Sequence, residues 1–171
     1  ANRLRHHGVV KGDVVATFMY NSIAQALIWF GCAKIGAVYA PLNVSLVKDD
    51  LAYSLNDTGA RVLIVDEELA DAFHAAAPSL DTVPGVFVAG DAKAVGLADS
   101  PEFDDLLLGD ESLPQADVVG TDPMAIVYTG GSTSMPKGVL VSHLYYIGAA
   151  IRYGDIAQAT DADVHYANSH F

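Results

Sequence analysis

Residues 60–66, ARVLIVD, set four apolar side chains in succession at Val62, Leu63, Ile64 and Val65. Successive side chains of a strand point to opposite faces, so a strand written this way needs cover on both. A sheet with one wet face alternates apolar with polar residues, and this run does not. It calls for a parallel strand with helices above and below it. Apolar runs of the same kind stand at 14–19, 37–43, 83–90 and 123–129. Between them lie segments with helical periodicity, at 23–36, 47–59 and 67–77. Strand–helix alternation of this sort gives a parallel α/β sheet with right-handed crossovers. Composition agrees: 51% of the 171 residues are hydrophobic and 18% charged, which excludes a disordered chain and suits a buried sheet.

The punctuation of these segments is chemical. Asn21 or Ser22 can cap the first long helix, and Gly36 can end it. Ile23, Ala26, Leu27, Phe30 and Ala33 recur at helical spacing and predict its buried face, with Trp29 off that stripe. Gly59 ends the next helix, which carries Leu51, Tyr53, Ser54 and Leu55. Residues 91–122 are acidic and rich in Gly, Ser, Pro and Asp; they read as a solvated excursion with one short helix near 101–109. After 123–129 and the loop that follows it, residues 142–154 predict a helix capped by Ser142, and 164–167 one more strand.

The formal net charge is −12, so the surface repels phosphate backbones and argues against a nucleic-acid binder. Any phosphate must be held locally. The single cysteine, Cys32, cannot build a disulfide framework or a Cys-based zinc site; it reads as a small buried hydrophobe and fits a reducing, cytoplasmic setting. No signal peptide is evident, and the longest apolar run, 23–33, is broken by Gln25 and falls short of the ~20 residues that span a bilayer, so no transmembrane segment is expected.

The most unusual stretch is 128–143, YTGGSTSMPKGVLVSH. Gly130 and Gly131 allow positive φ and close approach to a ligand. Consecutive backbone N–H groups in such a turn form an anion-binding nest. Thr129, Ser132, Thr133 and Ser134 add hydroxyl donors, and Lys137 adds a compact positive charge. The combination suits a polyphosphate; composition alone suits an ordinary Ser/Gly loop between strand and helix equally well. It is not a Walker A loop, because Pro136 precedes the lysine and Gly138 follows it.

The spacing resembles the phosphate-loop signature of the adenylate-forming superfamily, Tyr-Thr-Ser-Gly-Thr/Ser-Thr-Gly-x-Pro-Lys-Gly-Val. That superfamily includes acyl-CoA synthetases, peptide-synthetase adenylation domains and beetle luciferases. Tyr128, Thr129, Gly131, Ser132, Thr133, Pro136, Lys137, Gly138 and Val139 stand where the pattern wants them. Gly130 replaces a serine, and Ser134 replaces a glycine. The resemblance extends along the chain, and residues 36–46, GAVYAPLNVSL, are more similar to acyl-CoA synthetases than to peptide-synthetase domains.

The resemblance implies an α/β fold, a mostly parallel sheet flanked by helices, forming part of the large N-terminal domain of an adenylate-forming enzyme. It implies that 1–171 is one incomplete AMP-binding domain, with its phosphate loop at 128–138. The implied reaction is ATP-dependent activation of a small-molecule carboxylic acid to an acyl-adenylate, followed by transfer to coenzyme A, an acid–thiol ligase chemistry of the kind used in fatty acid metabolism. It assigns Thr129, Gly130, Gly131, Ser132, Thr133, Ser134, Pro136, Lys137 and Gly138 to the β- and γ-phosphates of ATP, with Mg²⁺ sharing the charge. The adenine-, ribose- and magnesium-binding residues and the family's catalytic lysine would lie in the missing remainder of the same enzyme, so the piece alone is expected to be inactive. Two other readings stand beside this one: an amino-acid adenylation domain of a carrier-protein system, and a nucleotide-binding module that has lost catalysis.

The histidines suggest no metal site. His6 and His7 precede Gly8 at a helix end, His74 lies within a helix, His143 opens the helix after the loop, where it either contacts phosphate or packs, and His165 and His170 lie near the end of the sequence. Tyr145, Tyr146 and Tyr153 are expected to pack that helix against the sheet.

Overall fold

A computed structural model describes residues 1–82, 84–129 and 135–164. Among these residues six strands form one sheet: β1 (Val14–Phe18), β2 (Val38–Pro41), β3 (Val62–Asp66), β4 (Gly85–Ala89), β5 (Pro123–Thr129) and β6 (Lys137–Ser142). Their order is β4-β3-β1-β2-β5-β6, parallel throughout except for β6, which runs antiparallel to β5. The helices are α1 (Asn2–His6), α2 (Ile23–Ile35), α3 (Lys48–Thr58), α4 (Ala70–Ala76) and α5 (His143–Ala157).

The doubly apolar strand behaves as its sequence requires. Val62 and Ile64 join a core with Ile28, Cys32 and Ile35 of α2 and with Val15 and Tyr39. Leu63 and Val65 join a second core with Leu51 and Leu55 of α3 and with Phe73 of α4. One strand therefore serves two cores, with α1 and α2 on one face and α3 and α4 on the other.

The caps of α2 match expectation: the Ser22 side chain accepts from Gln25 N at 3.2 Å, and Gly36 takes the left-handed conformation at φ 72°. Its buried face does not. Gln25, Ile28, Gly31, Cys32 and Ile35 are buried, whereas Ile23 is 82% exposed and Phe30 56% exposed. The helix is apolar nearly all round, so periodicity leaves the face undecided. Close packing decides it, because a Cβ on Gly31 would lie 3.3 Å from the Ala1 nitrogen, and only a small residue lets α1 approach there.

Residues 91–122 are not a free excursion. Phe103, at the start of a 3₁₀ turn (Phe103–Leu107), is buried in the α2-side core, and Ala92 in the other. The segment's carbonyls accept from α1 and the turn after it: Asn2 Nδ2 donates to Asp110 O at 3.0 Å, Arg3 Nε to Asp105 O at 2.9 Å and Arg5 Nη1 to Gln115 O at 3.0 Å. Lys11 completes the strap with an ion pair to Asp122 at 2.7 Å. The segment is thus held to α1 mainly through its own backbone carbonyls, with one ion pair at its end.

The run 137–142, which the sequence places in the loop before the helix, is instead β6. Pro136 lacks an N–H and restricts the residue before it away from the helical region, and Val139 and Val141 favour a strand. Helix α5 begins immediately after, with Ser142 Oγ accepting from Tyr145 N at 3.3 Å. Of the three tyrosines expected to pack this helix, Tyr146 does so, with its ring 5.4 Å from that of Trp29; Tyr145 and Tyr153 are exposed. The strand expected at 164–167 lies outside the described residues apart from Val164, as do His165 and His170.

Candidate functional site

In an open α/β sheet the crevice past the carboxyl ends of the strands is the binding side. Here β2 leaves toward α3 and back across the sheet, while β5 leaves outward to β6. Between their carboxyl ends lies a cavity of about 440 Å³, lined by Met19, Gln25, Trp29, Tyr39, Val127 and Tyr146 among others. The segment singled out in the sequence leaves β5 on the same side.

Thr129 ends β5 and pairs with Lys137, the first residue of β6; Tyr128 pairs with Gly138. The Thr129 hydroxyl lies 3.4 Å from the Lys137 carbonyl oxygen. Lys137 is exposed and forms no ion pair with any described residue, so its ammonium is available at the carboxyl end of the sheet. Thr129, Pro136, Lys137 and Gly138 are thereby brought to one end of one strand pair. Gly130, Gly131, Ser132, Thr133 and Ser134 lie outside the described residues.

Both stems of this pair are fastened to α3. The Tyr128 hydroxyl donates to Asp57 Oδ2 at 2.6 Å and lies 3.3 Å from the Ser54 carbonyl oxygen. The Tyr53 hydroxyl donates to Pro136 O at 3.3 Å. Burial, then the bond to Asp57, pushes the Tyr128 phenol well above its ordinary range, so it remains a proton donor. Gly138 is needed for space: a Cβ there would sit 2.8 Å from Ile126 Cγ2, 3.4 Å from Tyr128 Cζ and 3.5 Å from Asp57 Oδ2. The sequence motif contains Tyr128 and Gly138 but gives no sign that Tyr53 and Asp57, more than seventy residues earlier, complete it.

His143 does not reach this end. It follows Ser142, which is paired with Pro123 at the start of β5, and its backbone N–H donates to Asp122 O at 3.1 Å. The six residues of β6 separate it from the stems at Thr129 and Lys137 by roughly 20 Å, at ~3.3 Å per residue.

The cavity at the carboxyl ends of β2 and β5 has one polar wall. Thr17 Oγ1 donates to the Tyr39 hydroxyl at 3.2 Å, and burial pushes the Tyr39 phenol up to about 12, keeping it neutral. Gln25, 2% exposed, presents an Oε1 with no hydrogen-bond partner. In the sequence Gln25 is only an interruption of an apolar run; a buried amide one turn into such a helix is the signal that could have pointed to this wall. No three His, Cys, Asp or Glu side chains converge as a metal cage among the described residues. No helix there is long and apolar enough to cross a membrane.

Residues 1–170 match the model of the AMP-binding enzyme family. The chain is 35% identical over 167 residues to long-chain fatty acid transport protein 1 of Bos taurus, covering 94% of this chain and 26% of that protein. It is 34% identical over 148 residues to 3-hydroxybenzoate--CoA ligase of Aromatoleum sp. (strain CIB), covering 83% of this chain and 27% of the relative. Among solved structures, the anthranilate CoA ligase AuaEII in complex with anthranoyl-AMP superposes with a TM-score of 0.81 at 28% identity, over 90% of this chain and 29% of that one. The chain thus spans little more than a quarter of the length of the relatives it matches.

Proposed function

The chain belongs to the AMP-binding enzyme family, and on that premise we propose that it carries the ATP-phosphate grip of a carboxylate-activating, acid–thiol ligase. In this reading a small carboxylic acid attacks the α-phosphate of ATP, the bond to the β-phosphate breaks, and pyrophosphate leaves. A thiol, that of coenzyme A, then displaces AMP from the acyl-adenylate. The single observation that carries the reading is the placement of the signature: its first stem ends β5 at the carboxyl edge of a parallel sheet, and its lysine opens β6 with its charge unpaired by any described residue.

Residues 129–138 hold the β- and γ-phosphates. Thr129 and the hydroxyl residues Ser132, Thr133 and Ser134 donate to phosphate oxygens, and Gly130 and Gly131 bring backbone N–H groups close. Lys137 stabilises the charge that grows on pyrophosphate as the bond breaks, a preorganised electrostatic role. Mg²⁺ bound to the nucleotide's phosphate oxygens would share that charge. Residues 1–171 act as one incomplete domain that binds nucleotide without completing turnover. The similarity to ligases of aromatic acids, together with a fatty acid transport protein, supports a carboxylic acid substrate and coenzyme A as acceptor. The buried single thiol suits a cytoplasmic setting.

Calorimetric titration of Mg·ATP and of pyrophosphate into the chain and its Lys137→Ala variant tests this. Losing a charge-assisted contact weakens binding by roughly tenfold or more, at about 1.5–3 kcal/mol per contact, with the melting temperature nearly unchanged. Equal affinities in the two proteins would show that Lys137 holds no phosphate, and a collapse of folding in the variant would mark it as structural; either ends the proposal.

A further inference from the structure

Two tyrosines and one carboxylate outside the nucleotide contacts converge on the two stems of the β5–β6 pair. We propose that α3 is the anchor of the phosphate grip, with Asp57 and Tyr53 as positioning residues that fix its entry and exit stems through Tyr128 and Pro136. This deepens the phosphate-holding reading of the same segment and rests on it.

The geometry is specific. Tyr128 sits one residue before Thr129, and its hydroxyl meets Asp57 at 2.6 Å, within the range of a charge-assisted O–H···O⁻ bond. Pro136 sits one residue before Lys137, and its carbonyl accepts from Tyr53. Tyr53, Ser54 and Asp57 lie within five residues of α3, so one rigid helix, locked into the sheet by buried Leu51 and Leu55, holds both ends of the segment. The gap left by Gly138 brings β6 close enough for Asp57 to reach across it. A grip that must meet a polyphosphate with several donors at once benefits from stems fixed before the ligand arrives. Asp57 touches no nucleotide in this arrangement; it acts through Tyr128.

The test compares Asp57→Ala, Asp57→Asn and Tyr53→Phe with Asn56→Ala, all in the whole chain. Asn56 is the control because it makes two hydrogen bonds from the same helix, to Ser79 and Asp81, and none to the strand pair. Two readouts are taken: amide hydrogen exchange at residues 137–139, and Mg·ATP affinity. Asp57→Ala should speed exchange at the stem roughly fivefold and weaken Mg·ATP roughly five- to tenfold, less than the loss of a direct charge-assisted contact because Asp57 acts through Tyr128. Asp57→Asn retains a neutral acceptor and should fall between it and the native chain. Tyr53→Phe should show a smaller effect of the same sign, and Asn56→Ala neither effect. Unchanged stem exchange in Asp57→Ala overturns the anchor. Faster exchange with unchanged Mg·ATP affinity overturns its role in binding. A native chain that binds no Mg·ATP defeats the phosphate-holding reading itself, while the exchange measurement still decides whether α3 fixes the stems.

Discussion

Replacing Gly138 by alanine adds one methyl group at the most crowded point of the β5–β6 pair. The new Cβ would meet Ile126 Cγ2 at 2.8 Å, inside any normal carbon–carbon contact, and Tyr128 Cζ at 3.4 Å. Ile126 Cγ2 is attached directly to a stiff, β-branched Cβ, so it cannot swing away as the tip of a long side chain would. Overpacking of this kind costs about 1–3 kcal/mol. Removing a glycine from the unfolded chain returns about 0.4–1 kcal/mol, leaving a net loss of roughly 1–2 kcal/mol. For a chain of this size that lowers the melting temperature by about 2–8 °C, at ~2–4 °C per kcal/mol. Urea denaturation of four proteins (native, Gly138→Ala, Ile126→Ala and the double variant) closes a double-mutant cycle. The Ile126→Ala background removes Cγ2, so the added methyl should there be neutral or mildly stabilising. An equal cost in both backgrounds, or no cost in the native one, would refute the close contact as the reason for glycine at this position.

That cycle also marks where the sequence stops being informative. The two-faced strand at 62–65 announces the parallel sheet because covering both faces leaves no other arrangement. The cap at Ser22 and the stop at Gly36 are local chemistry and read directly. The buried face of α2 does not, since Ile23, Leu27 and Phe30 are as apolar as Ile28 and Ile35, and only the approach of α1 to Gly31 chooses between them. Strand β6 is hidden for a related reason: 137–142 is short, apolar and directly joined to a helix, and its pairing with β5 is tertiary information. Within the candidate site, the motif names the residues proposed to face phosphate but none of those that fasten its stems. Asp57 and Tyr53 lie on a helix whose pattern speaks only of Leu51 and Leu55. The strap at 91–122 misleads in the same way, because its acidity looks like solvation, whereas its backbone carbonyls accept from Arg3 and Arg5 and Asp122 pairs with Lys11.

Two further predictions concern titratable groups away from the β5–β6 stems. Burial pushes the Cys32 thiol up to about 12, so at pH 8 it is a protonated, enclosed hydrophobe. A maleimide should label it only as fast as the chain unfolds, and rapid labelling of the folded chain would contradict its place in the α2-side core. Asp122 acts in the opposite direction. Its hydrogen bond from Lys11, then that from the Val119 N–H, holds its carboxyl below the ordinary range. A carboxyl with a depressed folded-state value contributes stability in full above its unfolded value, near 3.9, and loses it as pH falls toward the folded one. The strap is therefore at its firmest near neutrality, and its Lys11–Asp122 closure weakens below about pH 4. Asp122→Asn should lower stability at pH 7 and flatten the acid limb of a stability–pH curve, with the two proteins converging at the acid end. Because Lys11 also donates to the Asp117 carbonyl, Lys11→Met should reproduce the flattening and cost more at neutral pH than Asp122→Asn. An acid limb identical in native and Asp122→Asn chains would mean that the ion pair closes no strap and that the segment is held by Phe103 and the α1 hydrogen bonds without it.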